Sequence, residues 1–338
     1  MSDKPTVTRV YQNAMLDSTY WEHYKPRPDD IVISTSMKAG TTWMQRICAA
    51  LVFQTPRLEQ PVDATSPWLD MRNSMPDLVQ PALEAQTHRR FIKSHLPLDA
   101  TPYFEQVQYI VVGRDARDVF MSMVPHHHNV TPEMLRMVNA RDGEERLAVM
   151  KELGEEPTPE EAAAIRKLVV WEGEDVPDLL DMDIRDIWKA WITTSPFPWE
   201  QDGYPYWSHF YHLNSWWQYR HLDNILFVHY SDLLKDLDGQ MRRVSDWLGI
   251  PVDESIWPSL VDSATFETMK EQHQDTAPAV THNIWKDPKK FFHKGTNGRW
   301  RDVLTEDDLA LYEDLNSRAL SPDAARWLEE GSLSAGYP

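Results

Sequence analysis

This 338-residue sequence predicts an α/β fold, a P-loop-like parallel sheet flanked by helices, on three observations. Short apolar runs rich in β-branched or aromatic residues recur at 31–33, 91–92, 109–112 and 225–228, each bounded by polar or turn residues, as in strands buried on both faces. Between them, three- and four-residue apolar steps such as Leu233, Leu237, Met241, Val244 and Leu248 put one apolar face on a helix. The first run leads straight into Lys38-Ala39-Gly40-Thr41-Thr42-Trp43 and then Met44, Ile47 and Leu51, a strand, a phosphate-sized loop and a helix.

That corner is an anion site with a cation at its lip. Amides at a helix start have no intrahelical partner and lie at the positive end of the helix dipole. Gly40 allows close backbone approach, Lys38 adds a full charge, and Thr41 and Thr42 add hydroxyl donors. A nucleotide-triphosphate loop has Gly-Lys-Ser/Thr at this point, whereas here the lysine precedes the glycine by two residues. An ordinary strand-turn-helix corner has the same outline, so other segments must decide.

The second strand ends in Lys93-Ser94-His95-Leu96-Pro97. Ligands of open parallel sheets bind beyond the carboxyl ends of strands, where His95 emerges; an imidazole there can accept a hydroxyl proton, although a structural histidine is the plainer reading of any one of thirteen. The third strand runs into Arg114-Asp115-Ala116-Arg117-Asp118, and Ser122 follows two turns into the next helix. Arg114 and Ser122 can converge on a phosphate, while Arg117 and Asp118 read as solvated or helix-end ion pairs. Gly249 is expected to end the helix before it, and Thr305 to cap a last helix through Leu311 and Leu315. Between these, His293-Lys294-Gly295-Thr296-Asn297-Gly298-Arg299-Trp300 sets a cation among glycines, which suits an anion or a surface turn.

Residues 125–205 form a charged, proline-punctuated, tryptophan-rich stretch with helical pieces, such as 162–171, and no strand pattern. We read one domain over 1–338 with this stretch as a helical insertion covering the ligand edge. Trp171, Trp188, Trp191, Trp199, Tyr204, Tyr206, Trp207, Phe210 and Tyr211 accumulate where an apolar acceptor pocket is expected, with many of these rings, especially Trp216 and Trp217, expected in the core. His126, His127 and His128 point in different directions with no carboxylate at helical spacing, so a lid or acceptor-pocket role is preferred to a metal site. The formal charge of −19 disfavours nucleic acid, anionic lipid and polyanionic glycan as partners. Cys48, the single cysteine, lies among apolar residues and reads as core; with no signal pattern after Met1 and no membrane-length stretch, a soluble, cytoplasmic protein is expected.

With these segments in order, the chain resembles the cytosolic sulfotransferase family, which moves a sulfuryl group from 3′-phosphoadenosine 5′-phosphosulfate to a hydroxyl or amine. Ser36 to Trp43 is similar to that family's 5′-phosphosulfate loop, Lys93 to Pro97 to its catalytic histidine segment, Arg114 and Ser122 to its 3′-phosphate pair, and Lys294-Gly295 to its C-terminal lysine-glycine motif. The resemblance implies adenine contacts from Trp43, Tyr230 and Phe266, and direct in-line transfer without a metal, with His95 as base and Lys38 and Lys93 stabilising charge. The aromatic pocket and the acidic chain make a small phenol or lipophilic alcohol the expected acceptor. Three departures stand out: His293 where an arginine is usual, Arg299 where an aspartate is common, and Ala264 in place of a hydroxyl residue near the adenine. The family's short dimerisation motif has no good match, so assembly state is left open. Two other readings use the same residues: a nucleotide kinase with Asp115 on magnesium, and a non-catalytic module that binds the nucleotide.

Overall fold

Four strands form where the apolar runs lie: β1 (Ile31–Thr35), β2 (Phe91–Ser94), β3 (Gln108–Gly113) and β4 (Ile225–His229). They make one parallel sheet in the order β2-β1-β3-β4. The computed structural model describes residues 4–276 and 284–335, so Met1 lies outside the described residues.

Side chains alternate across a strand, and apolar residues at successive positions oblige both faces to be covered. One face presents Ile31, Ile33, Ile110, Val112, Leu226 and Val228 to Met44, Ile47 and Leu51 of α1 (Thr41–Phe53). Cys48 is buried in that layer, where desolvation pushes its thiol up to about 12, in keeping with a core role. The other face presents Val32, Ile92, Tyr109, Val111 and Phe227 to Val119, Phe120 and Met123 of α2 (Ala116–His128) and to Trp188, Trp191, Trp216 and Trp327. Burial of Trp216 and Trp217 agrees with their assignment to the core.

α3 (Leu237–Leu248) ends at Gly249, whose φ of 66° is left-handed, and α4 (Glu306–Ala319) begins on a capping box between Thr305 and Asp308. Residues 125–205 contain helices Pro132–Asn139, Gly143–Glu152, Pro159–Ile165 and Ile184–Thr193, and no strand. Two boundaries differ from expectation. The helix expected over 162–171 stops at Ile165, because Arg72 takes the Val169 carbonyl at 3.1 Å and the Trp171 N–H turns to the Arg141 carbonyl. The supposed break at Pro125 falls inside α2, which runs through it to His128.

Candidate active site

The loops leaving the carboxyl ends of all four strands contribute to one cavity of about 260 Å³. Strand order reverses direction between β1 and β3, which splays their loops apart and opens a crevice at that edge.

After β1 the chain turns through Lys38 at φ 63° and Gly40 at φ 121°, and α1 starts at Thr41. Lys38, Gly40, Thr41, Thr42 and Trp43 line the cavity; Ala39 does not, being buried in the core. The Trp43 indole N–H donates to the Ala264 carbonyl at 2.7 Å and its ring meets Tyr230 edge-on at 5.0 Å, so at position 264 the backbone supplies the contact.

His95 is fixed from three sides. Its Nδ1 donates to the Thr35 carbonyl at 2.7 Å, which selects the tautomer and leaves Nε2 as the acceptor. Trp68 meets the ring edge-on at 4.7 Å and Trp207 lies 5.3 Å away. Asp70, buried, accepts the indole N–H groups of Trp68 and Trp21 and so orients the Trp68 ring; Lys93 sits over that ring at 4.3 Å. Trp68 and Asp70 escaped the sequence reading because no motif surrounds them.

After β3, Arg114 donates to the Lys38 carbonyl at 3.2 Å and Asn297 Oδ1 at 3.1 Å and stacks on Tyr230 at 3.9 Å. His209, also missed, ties the loops together by donating from Nε2 to the Arg114 carbonyl at 2.9 Å while its Nδ1 accepts from Ser36. Ser122 lines the cavity with Arg114. Asp115 caps α2 and holds Arg117 with both oxygens, so the carboxylate a kinase would use for magnesium is engaged. Arg117 is thus paired as expected, but Asp118 is not: it is buried and accepts the Gly298 N–H at 2.7 Å.

Phe266, His293, Lys294 and Gly295 complete that end of the cavity. Gly295, at φ 62°, lies against Phe266 so closely that a Cβ would come within 2.6 Å of the ring.

Of the nine aromatic residues from which the acceptor pocket is expected to draw, two line the cavity, Tyr206 and Trp207. Trp171, Trp188, Trp191 and Phe210 are core, and Trp199, Tyr204 and Tyr211 lie outside the lining. The insertion contributes Met134, Leu135, Val138 and Val176 instead, and Met15 and Met71 line the same cavity. His126 and His127 line the cavity, whereas His128 donates to the Leu179 carbonyl. Among the described residues no cluster of three or more His, Cys, Asp or Glu could hold a metal ion.

Lys38, Lys93, Arg114, Lys294 and Arg299 all face this cavity, and among the described residues none forms an ion pair with a carboxylate within 4.0 Å. Burial, then Arg114 and Lys93, pulls Lys38 down to about 7; burial brings Lys93 to about 8. Burial and the Lys93 charge hold His95 well below the usual imidazole value, neutral at physiological pH.

The sheet order, the loop and the unpaired cations define a P-loop-like α/β protein whose cavity sets several cations beside the neutral imidazole of His95. Residues 28–322 match the Sulfotransferase domain family, and the chain belongs to it: it is a sulfotransferase. It is 33% identical over 337 residues to the glycolipid sulfotransferase of Mycobacterium bovis (strain BCG / Pasteur 1173P2), covering 98% of this chain and 97% of that one. In fold it is similar to mouse sulfotransferase SULT7A1 complexed with PAP, at TM-score 0.62 and 18% identity over 94% of this chain and 93% of that one. It is also similar to retinol dehydratase in complex with androsterone and inactive cofactor PAP, at TM-score 0.59 and 20% identity over 91% and 87%. Among the described residues no helix is long and apolar enough to cross a membrane.

Proposed function

We propose that the chain is one sulfotransferase domain that takes its sulfuryl group from 3′-phosphoadenosine 5′-phosphosulfate and passes it to the hydroxyl of a small phenol or lipophilic alcohol. The observation that carries this is the set of cations without carboxylate partners beside the neutral imidazole of His95, in a chain whose formal charge is −19. Enclosed cations are costly unless an anion compensates them, and the Nε atoms of Arg114 and Arg299 are buried with no hydrogen-bond partner. A donor with charge at both ends of a nucleotide meets that need.

The donor supplies an activated sulfur whose bond to a phosphate oxygen is weak. Lys38, the amides of Gly40, Thr41 and Thr42 at the start of α1 and the two threonine hydroxyls hold the 5′ end; Arg114, Ser122, Lys294 and the Gly295 amide hold the 3′-phosphate, with His293 beside them. Trp43, Tyr230 and Phe266 enclose the adenine. His95 Nε2 takes the acceptor proton as the new oxygen–sulfur bond forms and the old one breaks, while Lys93 and Lys38 stabilise negative charge on the sulfuryl and departing phosphate oxygens. Preset cations of this kind need no reorganisation during transfer.

The acceptor end is walled by Met15, Met71, Met134, Leu135, Val138 and Val176, which suits a lipophilic body without charge. The mycobacterial relative, by its name, acts on glycolipids, and an uncharged amphiphile with a free hydroxyl falls in the same class. The test incubates the protein with the donor and a library of phenols, lipophilic alcohols and neutral glycolipids, with mass spectrometry for an added sulfonate. Sulfation confined to charged glycans would overturn the acceptor class, and nucleotide binding without any product would favour the non-catalytic module.

A further inference from the structure

α2 carries Pro125 in its interior. Proline has no N–H, so the carbonyl four residues earlier, that of Met121, loses its helical donor. Arg299 fills the gap: its Nη2 donates to the Met121 carbonyl at 3.0 Å, which anchors the guanidinium next to Ser122. The loop that delivers it is held by further bonds, among them Arg114 to Asn297 Oδ1 at 3.1 Å, Asn297 Nδ2 to Ser231 Oγ at 3.0 Å and the Gly298 N–H to Asp118 Oδ1 at 2.7 Å.

That anchor uses one of the five guanidinium N–H groups. Nε is buried with no partner, and no carboxylate lies within ion-pair distance among the described residues. Arg114 is in the same condition, with Nε unpartnered and its other donors on neutral oxygens. Burial, then the nearby Arg114 charge, lowers the pKa of Arg299 and Asp118 only partly opposes this; an oxyanion between the two guanidinium groups would offset both penalties. Position 293 does not supply this charge, since partial burial and the charges of Arg299 and Lys294 keep His293 below its ordinary value.

We propose that Arg299, pinned by the carbonyl that Pro125 frees, is the second guanidinium that grips the 3′-phosphate of the donor together with Arg114. It takes over the charge that a histidine at 293 leaves out. The assignment rests on the donor reading above and adds to it a binding residue at a position where the family resemblance suggests an acidic side chain.

The test measures binding of adenosine 3′,5′-bisphosphate and adenosine 5′-monophosphate to wild type, R299A and R299K by calorimetry. R299A is expected to weaken the bisphosphate about tenfold to a hundredfold, the usual effect of losing a charge-assisted contact, and to leave the monophosphate within about twofold. R299K should recover part of the loss, as a point charge without the fork. The monophosphate also reports whether the variants remain folded. Equal losses for both nucleotides in R299A and R299K alike, the result of a purely structural tie to Met121, would overturn the assignment. So would unchanged bisphosphate binding in R299A. Failure of the wild-type protein to bind the bisphosphate would overturn the donor reading and this assignment together.

Discussion

Nζ of Lys38 lies 3.1 Å from Nδ1 of His126, so the ammonium at the lip of the loop donates to an imidazole and not to a carboxylate. Burial and the Lys38 charge hold His126 well below its ordinary value, so it accepts as the neutral ring. Lys38, itself down to about 7, is largely uncharged in the free protein above that pH. A bound polyanion favours the charged form, so binding must take up a proton there. Affinity for adenosine 3′,5′-bisphosphate should therefore fall as pH rises through 7 to 8, with Lys93, at about 8, extending the decline. Calorimetry in buffers of different ionisation enthalpy should read proton uptake at pH 8 and little at pH 6. No uptake at pH 8 would reject the lowered value.

The Thr35 carbonyl holds the His95 proton on Nδ1, leaving Nε2 for the acceptor. His95→Ala should lower turnover by about two to four powers of ten, the range for loss of a general base, with nucleotide affinity within about twofold of wild type. Single-turnover rates with a fixed acceptor give the number, and near-normal turnover would remove His95 from proton transfer.

Gly295→Ala places a methyl 2.6 Å from the Phe266 ring on a backbone with φ 62°. Either the ring or the loop must move, and both belong to the proposed nucleotide site. Bisphosphate binding should weaken at least about tenfold, and the strain should cost about 1–2 kcal/mol of stability. Unchanged affinity and melting temperature would show that the loop relaxes freely.

Behind His209, Glu200 accepts from the Ser208 N–H at 2.8 Å and Ser195 Oγ at 2.9 Å and contacts the Tyr11 hydroxyl at 2.9 Å. Burial pushes its carboxyl up to about 8 from the usual value near 4.5. A raised carboxyl favours folding fully below the unfolded pKa, and that contribution is lost as pH rises through the folded one. Stability should fall between about pH 4.5 and 8, by on the order of 5 kcal/mol from this group. Glu200→Gln, whose amide can keep the same contacts, should flatten that slope and be the more stable form at pH 8. Denaturant unfolding at pH 5 and pH 8 decides it, and parallel slopes for both proteins would count against a neutral carboxyl in the folded state.

The four strands, the loop at Lys38, the cap at Thr305 and the stop at Gly249 were legible because each depends on its near neighbours: alternation along a strand, or the backbone preference of a glycine or capping hydroxyl. Lys38, Lys93, His95, Arg114 and Ser122 were legible for a related reason, since each sits at a fixed offset from a strand end and the sheet brings those ends to one edge. The aromatic pocket was not. A tryptophan at 188 and one at 207 look alike in the chain, yet one faces Phe120 in the core and the other His95.

By itself, then, the sequence determined the parallel sheet, the anion loop and the order of the cationic segments, because local periodicity and backbone chemistry act over a few residues. Only the tertiary structure decided which side chains enter the cavity, that Trp68, Asp70 and His209 brace it, and that Arg299 reaches the carbonyl freed by Pro125. Those outcomes depend on contacts between residues far apart in the chain, and burial direction at any one position is set by whatever packs across from it.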